Sequence, residues 1–398
     1  MTIKKTLLAI AISSTVAVPA ALAQSVQIYG KLYPYLLNES GSGATPVGTP
    51  VATLAATPTG TNGINGTTGM ASGNSRLGFR GQEDLGGGLK AMFQFEGRVS
   101  VESGAADLFK RDTFLGLQGG FGTVKLGNLD TIFKKYGDTI GILGLGSGTF
   151  MSSSSVLRKT GFGTSSASSF HLRRASSFQY ESPKLSGFQA GLQFSSNEAK
   201  TATRDPRVIS MGVKYDQGPW YVAVMHEIHD DLFGGSRNAP TAQSNFPVVN
   251  STNSKDSATQ LTVEYRLDKK HKFEFDVIRK EYQENATVAG RFGSYENTAY
   301  LLGMENRWTE QWRTAAQYVK SGAGSCTRIA AACVTDGLDG TKFTFGVGYF
   351  LSRRTMLFTS FSQLNNGKSA RYSNADLGAG PNPGENIRHV ALGISHSF

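Results

Sequence analysis

Apolar and polar residues alternate along most of this chain with a period of two, the spacing of a strand that has one apolar and one polar face. In "LKAMFQFE", Leu89, Ala91, Phe93 and Phe95 share one face, and Lys90, Met92, Gln94 and Glu96 the other. "GFQAGLQFS" repeats the pattern, with Phe188, Ala190, Leu192 and Phe194 against Gln189, Gly191 and Gln193. So do "QLTVEYRL" from Gln260 and "KFTFGVGYF" from Lys342. The last ten residues, "HVALGISHSF", set Val390, Leu392, Ile394, His396 and Phe398 on one side. No long segment of period 3.6 competes with these strands.

Sixteen such segments are expected, at about 25–38, 72–83, 88–100, 110–119, 122–129, 173–182, 187–196, 207–216, 219–230, 257–267, 270–284, 295–308, 311–321, 340–351, 354–364 and 386–398. Their connections alternate in length. "EDLGGG", "GGFG", "SPKLSG", "DQGP", "DKKH", "TEQW" and "LSRR" are short. Long polar stretches lie between them, at 39–71, 101–109, 130–172, 197–206, 231–256, 285–294, 322–339 and 365–385. An even strand count with strict short–long alternation predicts an up-and-down transmembrane barrel with tight periplasmic turns and long outer loops. A secreted β-sandwich also alternates, but its loops need not sort by length. In a bilayer every backbone polar group must be paired within the protein, so the last strand must bond to the first. That explains a chain ending on a half-apolar strand, with Phe398 as an aromatic anchor at the membrane interface.

Composition fits short aromatic strands with glycine at turns and crowded wall positions: 48 Gly, 24 Phe and 14 Tyr against 12 Pro and 3 Trp. At the start, Lys4 and Lys5 precede an apolar run from Leu7 to Val18, and "AALA" supplies an A-x-A cleavage site. Residues 1–23 are therefore expected to be a signal peptide and 24–398 the mature barrel. The remaining chain lacks the roughly 18 uninterrupted apolar residues of a spanning helix, which excludes a helical membrane protein. Net charge is +10, and removing Lys4 and Lys5 lowers it by two. Such a balance suits nucleic acid, an acidic surface or anionic solutes, and the expected compartment disfavours nucleic acid.

"SVQIYGKL", "SRLGFRGQEDLGGGLKAMFQFE", "GLQGGFGTVKLGNLDT", "RRASSFQYESPKLSGFQAGLQFS" and the terminal "HSF" together resemble the general porins of Gram-negative outer membranes, of the betaproteobacterial type. The resemblance covers essentially the whole mature chain. It implies a homotrimer of 16-stranded antiparallel barrels in the bacterial outer membrane, each with its third outer loop folded inward. It also implies passive diffusion of small hydrophilic solutes and inorganic ions, and a terminal Phe398 read by the barrel assembly machinery. Similar porins carry an aspartate in the first strand where Tyr33 or Pro34 stands here.

The longest connection, 130–172, contains "IGILGLG", which is poorly suited to an exposed loop and well suited to packing inside a lumen. Ion pores select through the charges that line a constriction. Because Leu77 and Phe79 face lipid, alternation turns Arg76 and Arg80 inward; Phe178 and Tyr180 do the same for Arg173, and Val124 and Leu126 for Lys125. The resemblance identifies Arg76, Arg111 and Arg173 as an arginine cluster. "KRDTFLGLQ" can be phased either way, so Lys110 is the alternative to Arg111. The inward loop offers Asp130 and Asp138 against Lys134, Lys135, Arg158 and Lys159, so the balance stays positive and anion preference is expected. The structural alternative for each arginine is a salt bridge inside the wall, with Glu83, Asp84 or Glu96.

Cys326 and Cys333 share one outer loop and are expected to form a small disulfide, since two thiols without a nearby histidine leave a zinc site incomplete. No metal or cofactor is implied. His226 and His229 in "MHEIHDD" come nearest to a catalytic cluster, but neither a G-x-S-x-G nor an H-E-x-x-H motif is present, and a channel rather than an enzyme is expected. A substrate-specific channel for a small anionic solute is the alternative function.

Overall fold

The computed structural model describes residues 26–137, 139–163, 169–196, 200–232, 253–285 and 287–398. The expected signal peptide lies outside the described residues. The strands are β1 (Gln27–Leu32, resuming as Tyr35–Ser42), β2 (Thr67–Ala71, resuming as Arg76–Gly86), β3 (Leu89–Val99), β4 (Ala106–Asp107, then Thr113–Gly119) and β5 (Gly122–Asp130). They continue as β6 (Arg173–Glu181), β7 (Phe188–Ser196), β8 (Arg207–Gln217), β9 (Trp220–Asp230), β10 (Ser254–Arg266) and β11 (His271–Glu284). The last are β12 (Phe292–Arg307), β13 (Trp312–Ser321, then Ser325–Arg328), β14 (Gly340–Phe350), β15 (Thr355–Asn366) and β16 (Asn386–Ser397).

Each strand pairs antiparallel with its sequence neighbours, and β16 pairs back onto β1, from Tyr35↔Gly393 to Ser42↔Asn386 and at Lys31↔Ser397. Closure of sixteen strands removes every sheet edge. The terminal residue seals the seam: the Gly30 and Phe398 amides each donate to the other's carbonyl, at 3.2 and 3.1 Å. A Cβ on Gly30 would lie 2.3 Å from the Phe398 ring, so only glycine accepts that ring.

The outer face carries Phe188, Leu192, Phe194, Val224, Phe273, Phe275, Leu302, Phe343, Val390, Leu392 and Ile394, all exposed to the surroundings. The facing row of Gln193, Ser195, Gln260, Thr262, Asp276, Lys280, Lys342 and Thr344 is buried within the lumen. Polar residues inside and apolar ones outside reverse the pattern of a water-soluble protein, as a wall facing lipid requires.

Some boundaries differ from expectation. The first strand breaks at Tyr33 and Pro34, where Pro34 lacks a ladder donor and the Tyr33 amide turns to Ser75 Oγ at 2.9 Å. The second breaks at residues 72–75 to accommodate that contact. The connection expected at 322–339 contains a strand, Ser325–Arg328, which continues pairing onto β12 through Tyr295↔Cys326. The Cys326–Cys333 disulfide is formed, with its Cα atoms 5.6 Å apart.

The 130–172 connection folds into the lumen, as its apolar patch predicts. Its described residues hold two short helices, α1 (Ile132–Gly137) and α2 (Ser154–Leu157), and a 3-10 turn at Ile142–Gly144. Ile132, Phe133, Tyr136, Val156, Leu157, Phe162 and Phe170 pack on wall residues Tyr221, Met225, Ile278, Tyr282 and Tyr295. Ile142, Leu143, Leu145 and Phe150 pack on Ala315, Met356 and Phe358. The wall is shaved to admit the loop: a Cβ on Gly191 would lie 2.7 Å from Ile132 Cδ1, and one on Gly346 2.9 Å from Ile142 Cγ2.

Hydrogen bonds from the wall then hold the loop. Lys280 Nζ donates to the carbonyls of Leu157 and Lys159, each at 2.8 Å. Lys342 Nζ donates to those of Phe150 and Ser152 at 2.7 and 2.6 Å. The Tyr221 hydroxyl donates to the Tyr136 carbonyl at 2.6 Å, and the Phe133 amide to Ser210 Oγ at 2.9 Å. Buried loop carbonyls would otherwise be unsatisfied, and each such group costs about 1–3 kcal/mol.

Candidate functional site

With the inserted loop fastened to β8–β15, the passage that remains lies against β1–β6. Arg76, Arg111 and Arg173, the expected arginine cluster, are present, and each has a carboxylate partner. Glu96, inward on β3, accepts from Arg111 Nε and lies 3.6 Å from Arg76 Nε; the Tyr29 hydroxyl also donates to it, at 3.0 Å. Arg173 bridges Asp112 at 2.6 Å and Asp130 at 2.8 Å. Asp130 also takes Lys134 at 2.9 Å, and Lys135 pairs with Glu181. Of the three wall acids expected as partners, only Glu96 serves among the described residues.

The ambiguity over "KRDTFLGLQ" is resolved by exposure. The Arg111 side chain is 17% exposed and Lys110 75%, the latter held by Asp107 outside the lumen. Arg111 is therefore the inward residue, and its Nη1 also donates to Asn74 Oδ1 at 2.9 Å. Asp138 lies outside the described residues.

Four further cations face the passage with no ion pair to a described carboxylate. Lys31 Nζ donates to the Gly144 carbonyl of the inserted loop at 2.8 Å. Arg80 lies over the Tyr29 ring, 4.7 Å from its centroid, and donates to Gln27 Oε1 at 2.9 Å. Lys125 lies 4.5 Å over the Phe114 ring. Arg98 is exposed and sits directly opposite Arg76 across the β2–β3 pair. Sequence reading missed Lys31 and Arg98, although the alternation that turns Glu96 inward reaches Arg98 two residues later. Burial in the loop pulls the Lys159 ammonium below its ordinary value.

Below the constriction, Arg80, Lys125, Lys135, Asp112 and Asp130 line a cleft of about 480 Å³ with Gln27, Gln94 and Gln179. Met92, Phe93, Phe114 and Leu129 supply the apolar part of its walls, and its charge is net positive.

The two histidines nearest to a cluster in the sequence, His226 and His229, point to opposite faces of β9. His226 is on the outer face, hydrogen-bonded to Thr259 Oγ1 at 2.8 Å. His229 points the other way, 2.9 Å from Glu227, with the Phe170 ring stacked on it at 4.5 Å.

A closed barrel with lipid-facing apolar walls and a polar lumen narrowed by an inserted loop defines an outer-membrane pore protein. The chain matches the Gram-negative porin family over residues 6–369 and belongs to that family. It lies in the bacterial outer membrane. It is 28% identical over 344 residues to outer membrane porin protein 32 of Delftia acidovorans, covering 84% of this chain and 86% of that one. It is 32% identical over 152 residues to the major outer membrane protein P.IB of Neisseria lactamica, a match spanning 38% of this chain and 42% of that relative. The solved structure of an anion-selective porin from Comamonas acidovorans superposes with a TM-score of 0.71 at 22% identity, covering 94% of this chain and all of that one.

Proposed function

We propose that this porin is a passive diffusion channel for small hydrophilic solutes and ions across the outer membrane, and that it prefers anions. The observation that carries the preference is the surplus of lumen cations. Glu96, Asp112, Asp130 and Glu181 are each engaged by arginine or lysine, whereas Lys31, Arg80, Arg98 and Lys125 form no ion pair with a described carboxylate. Walls of low dielectric keep such charges effective at close range. At about 4 Å and an effective dielectric of 20 a unit charge contributes on the order of 4 kcal/mol before hydration losses. A residual of about 1 kcal/mol biases permeability about fivefold.

Reconstitution in a planar bilayer under a potassium chloride gradient tests this. The zero-current potential is expected to carry the sign of chloride preference. A potassium preference would overturn the assignment and leave the barrel intact. A channel specific for one anionic solute would instead show saturable transport and block by that solute.

The same reading holds that residues 1–23 are removed on export, that the channel carries no enzymatic activity, and that three copies assemble. Leu108 and Phe109 support assembly: both are exposed beyond β3, with Phe109 5.4 Å from the Phe95 ring, extending the apolar outer wall. Conductance steps in triplets are the expected signature. Phe398 is proposed as the terminal signal for the barrel assembly machinery.

A further inference from the structure

At the short-turn end of the lumen, on the wall opposite the constriction arginines, a second cluster of guanidiniums has no carboxylate bound to it. Arg307, the last residue of β12, is the direct cross-strand partner of Arg313 on β13. Alternation puts both on the lumen face, with buried Leu301 and Ala315 on the same rows. The turn after β14 adds Arg353. These three line a cleft of about 510 Å³ with Phe350, Gln311 and a single acid, Glu310.

Like charges directly opposite on one sheet face repel. At the constriction the other facing pair, Arg76 and Arg98, has Glu96 3.6 Å from Arg76 Nε. Here Arg307, Arg313 and Arg353 form no ion pair with a described residue. Arg313 is nonetheless held in place: its guanidinium lies 4.3 Å over the Phe350 ring, and its Nε is buried with no acceptor. Phe350 in turn packs against the cluster that contains Ile142 and Leu143 of the inserted loop. Glu305 and Glu310 stand near Arg313 without pairing to it, and a positioned guanidinium, an unanswered donor and a like-charged neighbour across the ladder leave the three arginines short of negative charge.

We propose that Arg307, Arg313 and Arg353 form an anion-binding site at the periplasmic exit, for a small tetrahedral oxyanion of the phosphate type. Such an ion presents several oxygens, so each planar guanidinium can engage two of them, a bidentate geometry that a single-atom anion such as chloride does not offer. Its charge also removes the repulsion between the facing arginines. The site rests on the channel reading only for its consequence, a station where multivalent anions dwell as they leave or enter the lumen.

The test titrates inorganic phosphate into the purified full-length barrel in detergent at constant potassium chloride, followed by calorimetry. Binding is measured whether or not the barrel conducts. The wild type is expected to take up phosphate saturably, and Arg307→Gln with Arg313→Gln to weaken that binding by about tenfold or more. Arg80→Gln with Arg98→Gln, at the constriction, is expected to leave the exit site in place. Phosphate is also expected to raise the unfolding temperature of the wild type and not that of the Arg307→Gln, Arg313→Gln variant. Retained heat-modifiability certifies the fold of each variant, and Arg353→Gln alone serves if the double substitution does not assemble. No phosphate binding by the wild type, or affinities within about twofold in wild type and exit variants, would overturn the proposal.

Discussion

Glu96 holds two arginines with one charge. Its carboxylate takes Arg111 and lies beside Arg76, so it neutralises part of the cluster it organises. Replacing it with glutamine is expected to raise chloride over potassium permeability about fivefold, the effect of about 1 kcal/mol at a lumen position. Arg111→Ala is expected to move the zero-current potential the other way. Equal potentials in wild type and both variants would place the selective charges elsewhere. Asp376, in the outer connection before β16, makes a pH-dependent contact: it accepts from the Tyr35 hydroxyl, and burial raises its pKa above the ordinary carboxyl value. A raised folded value means that its stabilisation is complete below the ordinary value and is lost as pH rises through the raised one. The thermal midpoint of the wild type is therefore expected to fall over that acidic interval, with Asp376→Asn showing a flatter profile. Parallel profiles would exclude Asp376 as the titrating group.

The inserted loop behaves as an element clamped to a separate scaffold. Lys280 and Lys342 are buried and spend their donors on loop carbonyls. Substituting both with methionine leaves those carbonyls without partners, at about 1–3 kcal/mol per site, while the wall ladder stays intact. Single-channel recordings are expected to show larger, noisier openings, and electrophoresis a barrel that remains heat-modifiable. Unchanged conductance would mean that apolar packing alone holds the loop. The Cys326–Cys333 bridge closes a loop with a sequence separation of 7, for which chain entropy gives a stabilisation of about 2 kcal/mol. Reduction is expected to raise protease sensitivity in that outer connection and to leave ion selectivity unchanged.

At the scale of the whole molecule, stability depends on closure. The seam between β1 and β16 carries the reciprocal Gly30–Phe398 bonds, with the terminal ring seated over Gly30. Deleting Phe398 removes both bonds and the ring, so the yield of folded, heat-modifiable protein in the outer membrane is expected to fall several-fold, as about 2 kcal/mol lost at a barrel edge implies. Normal yield from the truncated chain would show that its last residue is dispensable.

Alternation alone determined the number of strands, their lipid and lumen faces, and the alternating loop lengths, because a two-residue period follows from strand geometry and a bilayer imposes one polarity on each face. It also placed Arg76, Arg80 and Lys125 inside, and the apolar "IGILGLG" identified the inserted loop. The choice between Lys110 and Arg111 needed coordinates, because the two phases of "KRDTFLGLQ" are equally regular. Alternation also turned Arg173 inward, although a register shift between Gly127 and Leu129 interrupts the ladder beside it. Which carboxylate meets which arginine, and which cations stay unpaired, depends on cross-strand register and on where the loop lands. Glu96 on β3 joins Arg76 on β2 and Arg111 from the break within β4, and Arg307 meets Arg313 only through their pairing register. Sequence fixes the face of a strand by local geometry. Contacts across strands are set by closure of the whole barrel, and there only tertiary structure decides.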